Sequence, residues 1–268
     1  MTIFEALKKA EADTGSKYVA KELVKFHTGL DDTKLLLSLN EELDKKSSFL
    51  LLVLRHTKGE PLEYITNKAS FLDMEFYVEH GVLIPRFETE ILVEKVIEVA
   101  SRFENLRVCE IGVGSGIISI SLKKALPNAE ITATDISDTA LKVAKINAKK
   151  FNADIKLVKC SLLDDVEGNF DIIVSNPPYI KDSYELDKWV LNEPKEALFG
   201  GKKGHEILEE IIKLASKRAK VLACEIGYDQ KEVLSKILKK QGFEYVFYKD
   251  LAGFDRGFVA SKMELFDE

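Results

Sequence analysis

Two stretches of this sequence have residue types and spacing that suit chemistry: Glu110-Ile111-Gly112-Val113-Gly114-Ser115-Gly116 and Asn176-Pro177-Pro178-Tyr179. In the first, glycines let the chain turn tightly and let a ligand approach the bare backbone. Asp135 lies 19 residues beyond Gly116, at the end of the next apolar run. A carboxylate there can accept hydrogen bonds from both hydroxyls of a ribose, so the pair suits a nucleoside cofactor. The second stretch follows the apolar run Asp171–Ser175. Two prolines cannot continue a central strand, because they lack N–H donors, and their fixed φ stiffens the loop. An NH₂ group donates two hydrogen bonds. The Asn176 side-chain oxygen can accept one and the Pro177 carbonyl the other. Holding both hydrogens makes the nitrogen more electron-rich and aims it at an electrophile, without a strong general base. Tyr179 can lie against the planar group.

The glycine stretch leaves three readings open. Glu110, two positions before the first glycine, together with G-x-G-x-G resembles the S-adenosylmethionine loop of Rossmann-like methyltransferases, with Glu110 near the methionine end. A dinucleotide loop, G-x-G-x-x-G, needs glycine where this chain has Ile117. The third reading is a turn of purely structural use.

The elements that must position these residues alternate. Leu106–Ile111, Glu130–Asp135, Ile155–Lys159, Phe170–Ser175, Val221–Ile226 and Phe243–Lys249 read as buried strands. Ile117–Ala125, Asp138–Phe151, His205–Arg218 and Gln230–Lys240 read as helices between them. Such alternation implies right-handed crossovers and a mainly parallel sheet covered on both faces. A last strand, Gly257–Lys262, follows too closely for a crossover and must be antiparallel to its predecessor. Upstream, residues 1 to 58 carry helical periodicity only, with Ser47-Ser48 offering an N-cap before Phe49. Gly59-Glu60-Pro61 breaks that pattern, and Phe71–Val78 reads as a β-hairpin. Glu88-Thr89-Glu90 opens a helix through Ala100, its acidic first turn suiting the helix dipole. The expected division is a helical domain over residues 1–60, a hairpin linker over 61–80 and an α/β domain over 81–268.

Composition excludes several classes. The 268 residues are 46% apolar and carry a net charge of −6, against a large nucleic-acid footprint. Three cysteines and four histidines, with no paired spacing, give neither a disulfide framework nor a metal site. The charged N-terminus is no signal peptide, and the longest apolar run, Phe49–Leu54, is too short to span a membrane. A soluble cytoplasmic monomer is expected.

With these motifs in place, the sequence resembles the peptide chain release factor glutamine N5-methyltransferases, the PrmC/HemK family. Gly59–Ile65 is similar to the family's GEPLxYI, and Val82–Glu90 to its VLIPRPETE. Glu193-Pro194 with Ala197-Leu198, Gly200-Gly201 and Gly204 is similar to its EPxxALxGGxxG, and Glu225–Gly227 and Asp250–Gly253 to its EIG and DLAG. The resemblance implies a Rossmann-like, seven-stranded methyltransferase domain behind a small helical domain. It implies S-adenosylmethionine as cofactor, with S-adenosylhomocysteine as product, over Glu110, Gly112, Val113, Gly114, Ser115 and Gly116. Asp135 would hold the ribose, with Asn176 near the methyl group. It implies that Asn176, Pro177, Pro178 and Tyr179 grip the glutamine of the GGQ motif in class I release factors, as catalytic and substrate-binding residues. Two positions depart from the pattern. Phe87 replaces the second proline of PRPETE. Lys159–Leu163 lacks the aspartate common there, leaving the adenine contact open between Ser161, Asp164 and backbone.

Three other functions compete. A related enzyme type methylates a ribosomal-protein glutamine with the same Asn-Pro-Pro-Tyr. Adenine N6 offers the same NH₂ geometry, but the chain has no aromatic-rich basic insert to hold a flipped base, since Lys181–Trp189 is short and mixed in charge. A non-catalytic binding module conflicts with an intact Asn176 and glycine loop.

Overall fold

The computed structural model describes residues 1–265. The chain divides into two compact units, Met1–Lys68 with Asp187–Asn192, and Ala69–Leu186 with the chain from Glu193 onward.

The first unit contains α1 (Ile3–Thr14), α2 (Lys17–Thr28), α3 (Asp32–Leu37), α4 (Lys46–Thr57) and α5 (Leu62–Thr66). Local chemistry sets most boundaries. Thr2 and Glu5 form a reciprocal cap at the start of α1, and Gly15 ends it in the left-handed conformation. Ser16 caps α2 and Gly29 closes it. The expected cap at Ser47-Ser48 is corrected. Helix α4 begins at Lys46, after Lys45 in the left-handed region, and both serines fall in its first turn. That end is exposed, so water can serve its free N–H groups and no side-chain cap is required. Ala6 and Ala10 of α1 and Ala20 of α2 are fully or almost fully buried; small side chains there let the helices approach around Leu23, Val24 and Phe49. The segment Asp187–Asn192 joins this unit through the Asn192 amide, which donates to Gly59 O at 2.8 Å, and through Trp189 against His56, with ring centroids 4.7 Å apart.

The second unit opens with the hairpin β1 (Ala69–Phe71) and β2 (Met74–Phe76). Leu72 and Asp73, at φ 46° and 58°, make the two-residue turn whose twist matches the strands. After α6 (Glu88–Ala100) come β3 (Arg107–Ile111), α7 (Ile117–Ala125), β4 (Glu130–Asp135), α8 (Asp138–Phe151), β5 (Lys156–Lys159) and β6 (Phe170–Ser175). Then follow α9 (Lys195–Leu198), α10 (Glu206–Arg218), β7 (Ala219–Glu225), α11 (Lys231–Lys240), β8 (Glu244–Lys249) and β9 (Asp255–Ser261). The seven-stranded sheet has the order β5-β4-β3-β6-β7-β9-β8. β5 to β7 run parallel, while β9 inserts antiparallel between β7 and β8. Successive residues of the central strands enter opposite cores. Val108, Ile172 and Ala223 face α6 and α7, whereas Cys109, Ile173 and Cys224 face α10 and α11. All three cysteines are buried and free.

Asn147 of α8 fastens this unit internally. Its side chain is fully buried, donates to Tyr77 O (2.9 Å) and Ser115 O (2.8 Å), and accepts from Tyr77 N at 2.8 Å. Asn147→Ala would leave the buried Ser115 carbonyl and the half-buried Tyr77 N–H and C=O unpaired, and it is expected to lower the unfolding free energy by about 2–4 kcal/mol in urea titration. An unchanged midpoint would contradict this accounting.

Candidate active site

The chain order reverses at β3. β4 and β5 lie on one side of it and β6 and β7 on the other, so a crevice opens beyond the carboxyl ends of β3 and β6. The loop leaving β3 is pinned to β4, because Gly112 N and Val113 N both donate to Thr134 O at 2.9 Å. Gly112 and Gly114 have φ of +81° and +51°, and a Cβ on either would meet no atom within 4 Å. The backbone therefore lies bare toward open space. Gly116 has a different reason to be glycine: a Cβ there would stand 3.0 Å from Ile120 Cδ1 and 3.4 Å from Ala144 Cα, where α7 and α8 converge.

Glu110 is 1% exposed and accepts from Ser119 N at 2.9 Å and from Ser119 Oγ. Its carboxylate thus serves a first-turn N–H of α7 while also lining the cavity. Burial pushes this carboxyl up to about 8, against the two Ser119 hydrogen bonds. Asp135, at the end of β4, accepts from Gly114 N (3.0 Å) through Oδ2 and from Ser137 N (2.9 Å) through Oδ1. Each oxygen keeps a further lone pair for a diol.

Asn176 follows β6, which Ser175 Oγ ties to Ile111 O at 2.7 Å. Its Nδ2 donates to Thr89 Oγ1 (3.0 Å), Thr89 Oγ1 donates to Glu225 Oε2 (2.7 Å), and Tyr179 OH donates to Glu225 Oε1 (2.9 Å). Thr89 and Glu225 are fully or almost fully buried. Burial pushes the Glu225 carboxyl up, while hydrogen bonds from Thr89 and Tyr179 and the nearby Arg256 charge pull it down. Burial and the Glu225 carboxylate likewise raise the Tyr179 phenol, which stays protonated and donates. Around this loop, a Cβ on Gly200 would lie 2.5 Å from Pro178 O, and Gln230 Nε2 donates to Tyr179 O at 2.9 Å and Gly204 O at 3.0 Å.

One cavity of about 660 Å³ collects these parts. It is lined by Glu110, Gly112, Val113, Gly114, Ser115, Asp135, Ser161, Asn176, Pro177 and Pro178. Gly116, Asp164 and Tyr179 are not among its lining residues. Tyr179 packs instead on the core beneath α10 and α11. The rim carries Ile84, Arg86 and Pro194, joined by Glu193, whose carboxylate accepts from Ile84 N at 2.9 Å and pairs with Arg86. Phe87, at the foot of α6, is 76% exposed. Thr89, Glu225, Gln230 and Asn147 escape sequence reasoning; Thr89 and Glu225 were visible only as letters inside family-like segments.

The raised Glu110 carboxyl fixes a pH dependence. In the unfolded chain it ionises near the ordinary value of roughly 4.3. Between that value and about 8 the folded state holds a proton that the unfolded state has released. Stability must therefore fall as pH rises through this window. Glu110→Gln is expected to flatten the decline in urea titrations at pH 5 and pH 8; an equal decline in both proteins would contradict it.

Comparison with known proteins places this architecture. The methyltransferase small domain matches residues 87–202, and the PrmC N-terminal domain matches residues 3–66. The release factor glutamine methyltransferase of Clostridium botulinum is 41% identical, over 83% of this chain and 82% of its own length. That of Bacillus subtilis is 36% identical over 97% of both chains, and that of Aquifex aeolicus 34% over 96% and 95%. Among solved structures, a ribosomal protein L11 methylase from Lactobacillus delbrueckii subsp. bulgaricus is similar, with TM-score 0.51 and 28% identity over 69% of this chain and 83% of that one. The N-terminal domain of human METTL16 in complex with SAH shares the fold, with TM-score 0.54 and 19% identity over 92% and 94%. With 34–41% identity to such relatives over most of the chain, and a bare glycine loop and Asn176-Pro177-Pro178 on one cavity, the chain belongs to the release factor glutamine methyltransferases, a family of S-adenosylmethionine-dependent enzymes.

Proposed function

We propose that this protein methylates the side-chain amide nitrogen of the GGQ glutamine in class I peptide chain release factors, acting as a monomer in the cytoplasm and without direct contact to nucleic acid. The observation that carries the reading is that Asn176, Pro177 and Pro178 line the same cavity as Gly112–Ser115 and Asp135.

The residues present fit the cofactor. The open space over Gly112 and Gly114 leaves their backbone free for close approach. Asp135 has two spare lone pairs for the ribose hydroxyls, and Ser161, one of the candidates for an adenine contact, is on the cavity lining. S-adenosylmethionine, when bound, supplies an electrophilic methyl on a sulfonium. Everything else is positioning by the chain itself. Asn176 Oδ1, which makes no hydrogen bond among the described residues, accepts one amide hydrogen of the glutamine, and Pro177 O accepts the other. With both hydrogens held, the nitrogen lone pair is exposed to the methyl group, and withdrawal of N–H density toward the two acceptors offsets the charge that develops. Tyr179 closes the turn from beneath through its bond to Glu225. The N–CH3 bond would form as the S–CH3 bond breaks, S-adenosylhomocysteine leaves, and one of the two held N–H protons passes to solvent after transfer, so no basic side chain is required beside the nitrogen.

The test is transfer of labelled methyl from S-adenosylmethionine to a purified release factor, in wild-type and Gln→Ala GGQ forms. Label on the wild-type factor alone is expected. Equal label on both factors, or label only on ribosomal protein or nucleic acid, overturns the reading. Asn176→Ala is expected to lower kcat by about 10²–10³-fold, since it removes an acceptor aimed at the reacting nitrogen, while calorimetric affinity for the cofactor changes little. A parallel loss of cofactor affinity would make Asn176 a cofactor ligand instead.

A further inference from the structure

Asn176 is an amide, and an amide has two ends of nearly equal size. Only one orientation serves the reaction proposed above: oxygen toward the substrate NH₂, nitrogen away from it. The opposite orientation would set donor against donor. The terminal torsion of asparagine is soft and close to two-fold, so the backbone of the Asn-Pro-Pro-Tyr turn does not choose between them.

The choice is made behind Asn176. Thr89 Oγ1 carries a single proton. A carboxylate accepts and does not donate, so the 2.7 Å bond to Glu225 Oε2 consumes that proton. Toward Asn176 the hydroxyl has only lone pairs to offer. The 3.0 Å contact must then be a donation from Asn176 Nδ2, which leaves Oδ1 as the free end. Glu225 is held in this role from several directions. Tyr179 OH donates to its other oxygen at 2.9 Å, so both oxygens act as acceptors, and these two donors with the Arg256 charge work against the burial that raises this carboxyl. Arg256 is itself anchored by Asp250, with Nε and the terminal nitrogen 3.0 and 2.9 Å from Oδ2. Thr89, in the first turn of α6, and Glu225, at the end of β7, have essentially no exposure, so bulk water does not offer Thr89 an alternative partner.

We propose that Thr89 and Glu225 are positioning residues for methyl transfer: the Glu225 carboxylate, through the Thr89 hydroxyl, dictates which end of the Asn176 amide meets the substrate. The same carboxylate grips Tyr179, so one side chain at the end of β7 sets both ends of the Asn-Pro-Pro-Tyr turn. Neither residue touches substrate or cofactor in this scheme. This inference rests on the function proposed above.

The test uses the full chain with release factor and S-adenosylmethionine, and compares Thr89→Val, Thr89→Ser, Asn176→Ala and the double variant Thr89→Val/Asn176→Ala. Valine keeps the shape of threonine but has no hydroxyl; serine keeps the hydroxyl. Thr89→Val is expected to lower kcat roughly 10- to 100-fold, with cofactor affinity by calorimetry within about twofold of wild type, because only the reacting geometry is lost. Thr89→Ser is expected to recover activity to within about threefold. The double variant is expected to be no slower than Asn176→Ala alone, since Thr89 acts through Asn176. Wild-type kcat in Thr89→Val, a matching loss of cofactor affinity, or losses that multiply in the double variant would each overturn the proposal. If Thr89→Val does not fold, Thr89→Ala removes the same hydroxyl without packing a methyl against the carboxylate, and the same outcomes apply. A wild-type enzyme that leaves the release factor unlabelled would remove the functional reading itself; an active wild type with an indifferent Thr89 would remove only the positioning role.

Discussion

Two acidic side chains, Glu110 and Glu225, are buried at the carboxyl ends of β3 and β7, each about 1% exposed. A carboxyl group out of water is tolerated only where hydrogen-bond partners replace its hydration, and a missing partner costs about 1–3 kcal/mol. That requirement organises the rim of the sheet. Glu110 takes its donors from Ser119, which fixes the first turn of α7 against β3 and thereby the glycine loop between them. Glu225 takes its donors from Thr89 of α6 and from Tyr179, which fixes the turn after β6. The glycine loop is thus clamped by a buried acid on β3, the strand that leads into it, and the Asn-Pro-Pro-Tyr turn by one on β7, the strand beside β6.

Those acids end up on one rim because of the strand order. Right-handed crossovers move outward from β3 toward β4 and β5 on one side, and β6 and β7 fill the other. No crossover helix covers the point of reversal, so the ends of β3 and β6 stay open. The sheet itself is satisfied by alternation: its central residues feed two separate apolar cores, and its backbone groups pair in register. The loops at the rim anchor to the cores through Val113 and Tyr179, which leaves Gly112, Gly114 and Asn176 facing the cavity.

Much of this was legible in the sequence, and the pattern of what was not has a physical basis. The strand Phe170–Ser175 is a largely apolar run buried on both faces, so its limits are local properties. The helix Glu88–Ala100 announces itself by its acidic first turn. Asn176, Pro177 and Pro178 stand out because prolines end a strand whose apolar pattern would otherwise continue. Ser47-Ser48 misled because a serine pair fits a cap locally, while the chain reversal at Lys45 is set by Leu43, whose N–H donates to Met1 O at 2.9 Å. Thr89 reads as an ordinary first-turn residue. Its partner Glu225 lies 136 positions away, and Asn147 bonds Tyr77 across 70 positions. Such pairings are products of the closed fold, and no local spacing encodes them.

The Asn-Pro-Pro-Tyr turn is over-determined, and the manner of it bears on catalysis. Proline rings restrict it from within. Glu225 holds its two ends from below. From outside, Gly200 approaches so closely that a Cβ would stand 2.5 Å from Pro178 O, and Gln230 bonds the Tyr179 carbonyl. In the proposed transfer, an acceptor pair that must hold both hydrogens of one amide gains nothing from flexibility, since any rotation of Asn176 would lose a hydrogen bond at the moment charge develops. Fixing the pair during folding moves the cost of organising it out of the reaction step, because the dipoles already point where the transition state requires them. The prolines contribute to the same end from the unfolded side, since a chain with fewer accessible conformations loses less entropy on adopting this turn. In the proposed transfer, Gly200 and Gln230 therefore help hold the turn that presents Asn176 and the Pro177 carbonyl.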